Sequence, residues 1–75
     1  MKRIKGKLKG DVDAGGFCTD ASTLPGVIIV MLTTPGDGSP TSFLINVSQQ
    51  SHDSVLRDIV ADRRVESCES TREFP

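Results

Sequence analysis

The feature that most constrains the fold of this chain is an uninterrupted apolar run, Val27 to Leu32 (VIIVML). Its β-branched residues, and the turn signals Pro25-Gly26 before it and Pro35-Gly36 after it, predict a buried strand. Because successive strand residues point to opposite faces, both faces of this strand are apolar. Both faces therefore need cover from a chain of only 75 residues.

Different parts of the structure must bury the two faces of the predicted sheet, because a single helix can pack on only one of them. We expect one alternating set of side chains to lie under a helix and the other set under a loop or a second copy of the chain. The two possible sets are Ile28, Val30 and Leu32, or Val27, Ile29 and Met31.

Residues 3–12 alternate between polar and apolar or small residues, which predicts a first strand with one basic, solvated face. The cations of that face are Arg3, Lys5, Lys7 and Lys9. Residues 1–10 carry five cations and no acid, and the remainder of the chain carries four cations and ten acids, which gives the net charge of -1. Such a ladder of cations can follow phosphates, but lysines also protect an edge strand from aggregation.

The rest of the chain predicts one more strand and one helix. Residues 13–25, rich in Gly, Ser, Thr and Asp, indicate a long loop that Phe17 and Leu24 pin to the core, and a short strand within it is an open alternative. A third strand is expected at Ser42 to Val47, and a helix should start after the caps at residues 48–51 and end near Val65. The apolar positions of that strand and helix are Phe43, Ile45, Val47, Val55, Leu56, Ile59 and Val60.

These elements predict a small α+β domain over residues 1–65, followed by a polar tail over residues 66–75. The sheet is expected to be mainly antiparallel and three-stranded, or four-stranded if the loop contributes a strand. We expect the strand that contains Val27 to Leu32 to be central, with the C-terminal helix packed on one face.

The sequence contains no motif for catalysis, a metal or a cofactor, so we expect a protein that is not an enzyme and needs no cofactor. His52 is interpreted as an exposed residue of the first helical turn rather than as the partner of Cys18 or Cys68 in a catalytic dyad. Asp11 and Asp13 resemble the opening of a calcium loop, but its closing glutamate is missing. A turn is the better interpretation of that segment.

The basic N-terminus is not followed by the apolar segment of a secretory signal, and no stretch is long enough to cross a bilayer. We therefore expect a cytoplasmic protein that makes no membrane contact. In that compartment Cys18 and Cys68 should be free thiols rather than a disulfide.

The leading functional hypothesis is a small binding protein that acts as an inhibitor or adaptor by occupying a macromolecular partner. The shortage of cover for the sheet suggests that it self-associates as a homodimer, with an interface at Ile28, Val30, Leu32 and Leu44. The alternative is a binder of a phosphate-bearing ligand, either a nucleotide or a nucleic acid, through Arg3, Lys5, Lys7 and Lys9.

Overall fold

The computed structural model describes residues 2–10, 12–36 and 40–72. Four strands and two helices follow one another along the chain, and a 3₁₀ turn at Gln49–Ser51 leads into the second helix. The elements are β1 (Lys2–Leu8), α1 (Ala14–Ser22), β2 (Val27–Thr33), β3 (Ser42–Val47), α2 (His52–Ala61) and β4 (Val65–Arg72).

The four strands form one sheet in the order β2-β3-β1-β4, and each neighbouring pair is antiparallel. The element order β-α-β-β-α-β with this sheet order is the split βαβ arrangement, also called ferredoxin-like. The predicted α+β class with an antiparallel sheet is confirmed. This topology is shared by proteins of many functions, so it assigns none by itself.

The hydrophobic core lies between the sheet and the helices. Phe17 on α1 packs against Phe43 on β3, with ring centroids 5.0 Å apart. The predicted apolar face of β3 is confirmed, because Phe43, Ile45 and Val47 are all buried. The buried apolar side chains of the described residues are Ile4, Leu8, Phe17, Ala21, Phe43, Ile45, Val47, Val55 and Ile59.

Helix α1 occupies the segment for which we predicted a loop, so that prediction is wrong. The Asp13 carboxylate caps the helix by accepting a hydrogen bond from the backbone N–H of Gly16 (3.1 Å). Phe17 and Ala21, four residues apart, face the core. The glycines at positions 15 and 16 lower intrinsic helix propensity, but tertiary packing of these two side chains outweighs that preference.

Residues 66–72 belong to β4 and not to a polar tail, and β4 pairs with β1 along its length. Strand β1 is therefore interior, and β2 lies at the edge of the sheet rather than at its centre. The predicted central position of β2 is wrong because the polar β4 sequence completes the far side of the sheet. Strand β1 is also shorter than predicted, and α2 ends at Ala61 instead of near Val65.

A β-bulge in β2 changes which side chains face the core. Val27 and Ile29 pair with adjacent residues of β3, which leaves Ile28 as the additional residue. Beyond the bulge the alternation is reversed, so Val27, Val30 and Leu32 pack against the core. Neither of the two sets that we expected from a regular strand is therefore correct.

Arg64 joins the segment between α2 and β4 to α1. Its guanidinium donates hydrogen bonds to Asp62 (2.7 Å) and to Asp20 on α1 (3.0 Å), and it lies 5.6 Å from the centroid of the Phe17 ring. The hydrogen bonds from Arg64 hold the pKa of the Asp62 carboxyl below its usual range. This cluster links the segment before β4 to α1 beside the buried Phe17 ring.

Candidate functional site: the open face and edge of the sheet

The candidate site is the sheet face opposite the helices, which we call the open face. The register places three rows of side chains across it. The middle row contains Met31, Leu44, Lys5 and Glu69, in the order of the strands. The face therefore changes from apolar at the β2 edge to charged on β1 and β4.

Three of the four predicted anion-binding residues share the open face. Arg3, Lys5 and Lys7 alternate along β1 with the core residues, at a spacing of roughly 6.8 Å, and we call them the basic column. Lys9 lies beyond the end of β1, where its backbone N–H donates to the carbonyl of Arg64 (2.9 Å). The suggestion that the lysines protect an edge strand is wrong, because β1 is hydrogen-bonded on both sides.

The basic column is partly balanced by β4. The Lys5 ammonium lies 3.6 Å from a carboxylate oxygen of Glu69, and both side chains are more than half exposed. An ion pair in such a solvated position contributes at most about 1 kcal/mol and is weakened by salt. Lys5 is therefore available to exchange Glu69 for another anion.

The predicted interface residues do not share one surface. Val30 and Leu32 pack against the core, Leu44 lies on the open face, and Ile28 projects outward at the bulge with 61% exposure. The structure instead exposes Ile29 (46%) and Met31 (43%) on the open face. These two residues were not among the predicted interface residues, because the bulge that sets their direction has no clear signal in the sequence.

A groove of about 610 Å³ lies on the open face between the apolar and the charged half. Met31 and Leu44 line one side of it, and Lys5, Lys7 and Glu69 line the other. In the row beside it, the side-chain carbonyl oxygen of Asn46 is buried without a hydrogen-bond partner among the described residues. Orphaned buried acceptors of this kind are uncommon in folded proteins.

His52 is buried, with 6% exposure, and its prediction as an exposed residue is wrong. Its ring contacts Asp53 through Nδ1 (2.9 Å) and the Ser70 hydroxyl through Nε2 (2.6 Å). In the neutral ring, Nδ1–H donates to the carboxylate and Nε2 accepts from the hydroxyl. The hydrogen bond from His52 lowers the pKa of Asp53.

The order Ser70, His52, Asp53 is that of a serine-hydrolase triad, but a nucleophile also needs oxyanion donors and a substrate cleft. Neither the open-face groove nor the shallow groove along α2 includes Ser70. We therefore interpret the three side chains as a tie between the start of α2 and β4.

Cys18 and Cys68 are free thiols, as predicted. Partial burial raises the pKa of the Cys68 thiol, which lowers its thiolate fraction. Both ring nitrogens of His52 are already engaged by Asp53 and Ser70, so neither is left to activate a thiol.

Asp13 is used as a helix cap, and Asp11, the other acid of the calcium-like segment, lies outside the described residues. Within the described ranges, no group of three or more His, Cys, Asp or Glu side chains is arranged to hold a metal ion. The helices of the described part of the chain are all too short and too polar to span a bilayer.

Comparisons of the chain with protein-family models, with curated proteins and with solved structures give no match.

Proposed function

We propose that the protein is a small, non-enzymatic binding module that works as a homodimer and occupies a macromolecular partner as an inhibitor or adaptor. The observation that carries this proposal is the exposed apolar surface of β2, formed by Ile28, Ile29 and Met31. We call these three residues the β2 patch.

The β2 patch differs from ordinary surface apolar residues because its members are contiguous. A single exposed side chain, such as Val60 on α2 with 61% exposure, is common on soluble domains. Three neighbouring large apolar residues on one edge indicate a contact surface. Residues 21–36 contain no charged side chain, so this segment adds no electrostatic repulsion between two copies that meet at the β2 patch.

The basic column suggests what kind of partner the dimer binds. Arg3, Lys5 and Lys7 form a cationic surface beside the β2 patch, on the face that the helices leave uncovered. Such a surface attracts and orients an acidic protein surface. The partner is therefore expected to be a protein with clustered Asp and Glu side chains.

The double variant Ile29→Lys/Met31→Lys should be monomeric at concentrations where the wild-type protein is dimeric. Both side chains are more than two-fifths exposed, so lysine should be tolerated in the monomer, whereas the dimer would bring four like-charged ammonium groups together at the interface. Sedimentation velocity over a range of concentrations measures the change.

Val60→Lys is the control, because it introduces a single lysine at an exposed apolar position away from β2 and should leave the dimer intact. Wild-type protein that sediments as a monomer at every concentration would contradict the proposed homodimer. Far-UV circular dichroism checks that both variants are folded.

The second candidate function is binding of a phosphate-bearing ligand, favoured by the position of the basic column at the groove of the open face. It ranks second because sheets that bind single-stranded nucleic acid usually stack bases on aromatic side chains. Phe17 and Phe43 are both in the core, and Phe74 lies outside the described residues.

If this second function is correct, Lys5→Glu/Lys7→Glu should strongly weaken the binding of a labelled single-stranded RNA or of ATP, measured by fluorescence anisotropy or calorimetry. The salt dependence of RNA binding should also fall, by roughly 0.7 in log-log slope for each phosphate that the variant no longer neutralises. Lys9→Glu is the control, because Lys9 is exposed but lies off the strand. If Lys9→Glu lost as much binding free energy per substituted lysine as the double variant, binding would depend on net charge alone and not on the basic column.

A further inference from the structure

We propose that the two copies meet at the edge of β2, where the strands pair antiparallel and join the two sheets into one continuous eight-stranded sheet. This inference rests on the proposed homodimer and specifies its geometry. The occupant of the edge is a second copy of this chain.

The first observation is the position of β2 in the sheet. It pairs with β3 on one side and forms the edge of the sheet on the other. An edge strand presents a row of backbone N–H and C=O groups that another strand can pair with. Proteins usually block such an edge with charge, proline or a bulge. Strand β2 has neither charge nor proline over Val27–Thr33, and its bulge affects only its first residues.

The second observation is the distribution of charge over the alternative surfaces. A two-fold axis places each surface against the same surface of the second copy. Any net charge on that surface is then repelled by the identical charge of the other copy. The other edge, β4, carries Glu66 and Glu69, and the open face carries the basic column. Among these surfaces only the β2 edge is both apolar and uncharged, which makes it the one suited to pairing with itself.

The geometry of the sheet restricts the register. A two-fold axis perpendicular to the joined sheet keeps both open faces on the same side. Directly opposite residues must then point to the same side. Because side chains alternate, one residue has to lie directly opposite its own copy, with the axis midway between the two. The regular part of β2, residues 29–33, is centred on Met31.

This register pairs Met31 with the second copy's Met31 and Ile29 with the second copy's Thr33 on the open face. Val30 meets the second copy's Leu32 on the helical side. Each contact involves apolar side chains or a threonine methyl group, so the pairing buries no charge. It also places the two basic columns on the same face of the joined sheet, with β3 and β2 of both copies between them, so the dimer offers an acidic partner two cationic areas instead of one.

Disulfide trapping tests this geometry. In a Cys18→Ser/Cys68→Ala background, Met31→Cys should form a cross-linked dimer under mild oxidation, because directly opposite residues of antiparallel strands lie within disulfide range. We expect the cross-link to form at least about tenfold faster than in Val60→Cys, since paired thiols react at a high effective concentration. Ile29→Cys and Thr33→Cys, on the same face, should each be slower than Met31→Cys.

The outcomes separate this inference from the proposed function. A wild-type protein that is monomeric overturns both. A dimer whose cross-linking at position 31 is no faster than at position 60 overturns edge pairing and leaves the homodimer standing. Fastest trapping at position 29 or 33 overturns the register centred on Met31.

Hydrogen exchange of the unmodified protein provides a readout that does not depend on the variants folding. The outward-pointing amides of residues 29–33 should be protected at high protein concentration and lose that protection on dilution into the monomer range. Equal exchange in monomer and dimer overturns the edge contact.

Discussion

Phe17→Ala should lower the free energy of unfolding by about 3 to 5 kcal/mol, the cost that removal of a fully buried phenylalanine typically carries. The Phe17 ring is inaccessible to solvent, packs on Phe43 at 5.0 Å and lies under the guanidinium of Arg64. A domain of 75 residues has roughly 4 to 11 kcal/mol of total stability, so this single change should leave a substantial unfolded fraction. Urea unfolding followed by far-UV circular dichroism measures the loss.

Val60→Ala is the matched control for Phe17→Ala, because it also truncates an apolar helical side chain, but at a position that is 61% exposed. It should change stability by less than about 0.5 kcal/mol. If Phe17→Ala cost no more than this control, the packing of α1 against the sheet as described would be incorrect.

Gly6→Ala should cost about 3 kcal/mol, although it adds only one methyl group. A Cβ atom at position 6 would collide with the Ser67 carbonyl oxygen and would lie 2.7 Å from Cζ of Phe43. The first of these neighbours is backbone and the second is part of a buried ring, so relief requires β4 to move away from β1. Forced overpacking of this kind typically costs about 1 to 3 kcal/mol, and occasionally more.

Hydrogen exchange should locate the damage from Gly6→Ala in β4, with faster exchange over residues 65–72. Gly10→Ala is the control, since a Cβ atom there would meet nothing within 4 Å. Equal stability of the two variants would show that β4 does not approach β1 as closely as described.

The elements that could be predicted from the sequence are those with strong periodicity. Strands β2 and β3 begin and end where the apolar runs and turn residues place them. The stripe of α2 correctly identifies Val55 and Ile59 as core residues, but Val60 of the same stripe is 61% exposed. In these segments local preference and burial agree, so the pattern alone is sufficient.

The elements that could not be predicted are those in which tertiary contacts outweigh local preference. Helix α1 was not predicted because it contains two glycines. The sequence is nevertheless consistent with a capped helix, since Asp13 precedes Gly16 by three residues and Phe17 and Ala21 follow at helical spacing. The sequence of β4 is mostly polar because this strand forms an edge of the sheet and many of its side chains face solvent. Its inward contribution near the core is limited mainly to Val65 and Cys68.

The candidate site was predictable only in part. Alternation along β1 correctly placed Arg3, Lys5 and Lys7 on one face, because a strand with a buried face has a fixed period of two. The pattern extended this face to Lys9, although β1 ends at Leu8, where the register with β4 shifts. The β2 patch depends on a single bulge residue, and such an insertion inverts every later side chain.

Because β1 is an interior strand, trypsin cleavage at its lysines can be used to detect opening of the sheet. Every lysine of the chain lies within residues 2–9, and residues 10–56 contain neither lysine nor arginine. Trypsin must bind its substrate as an extended and unpaired segment, which β1 cannot offer while β3 and β4 are paired with it. Cleavage after Lys5 or Lys7 therefore reports the fraction of molecules in which the sheet has separated at its middle, a population set by the free energy of local unfolding rather than by loop motion.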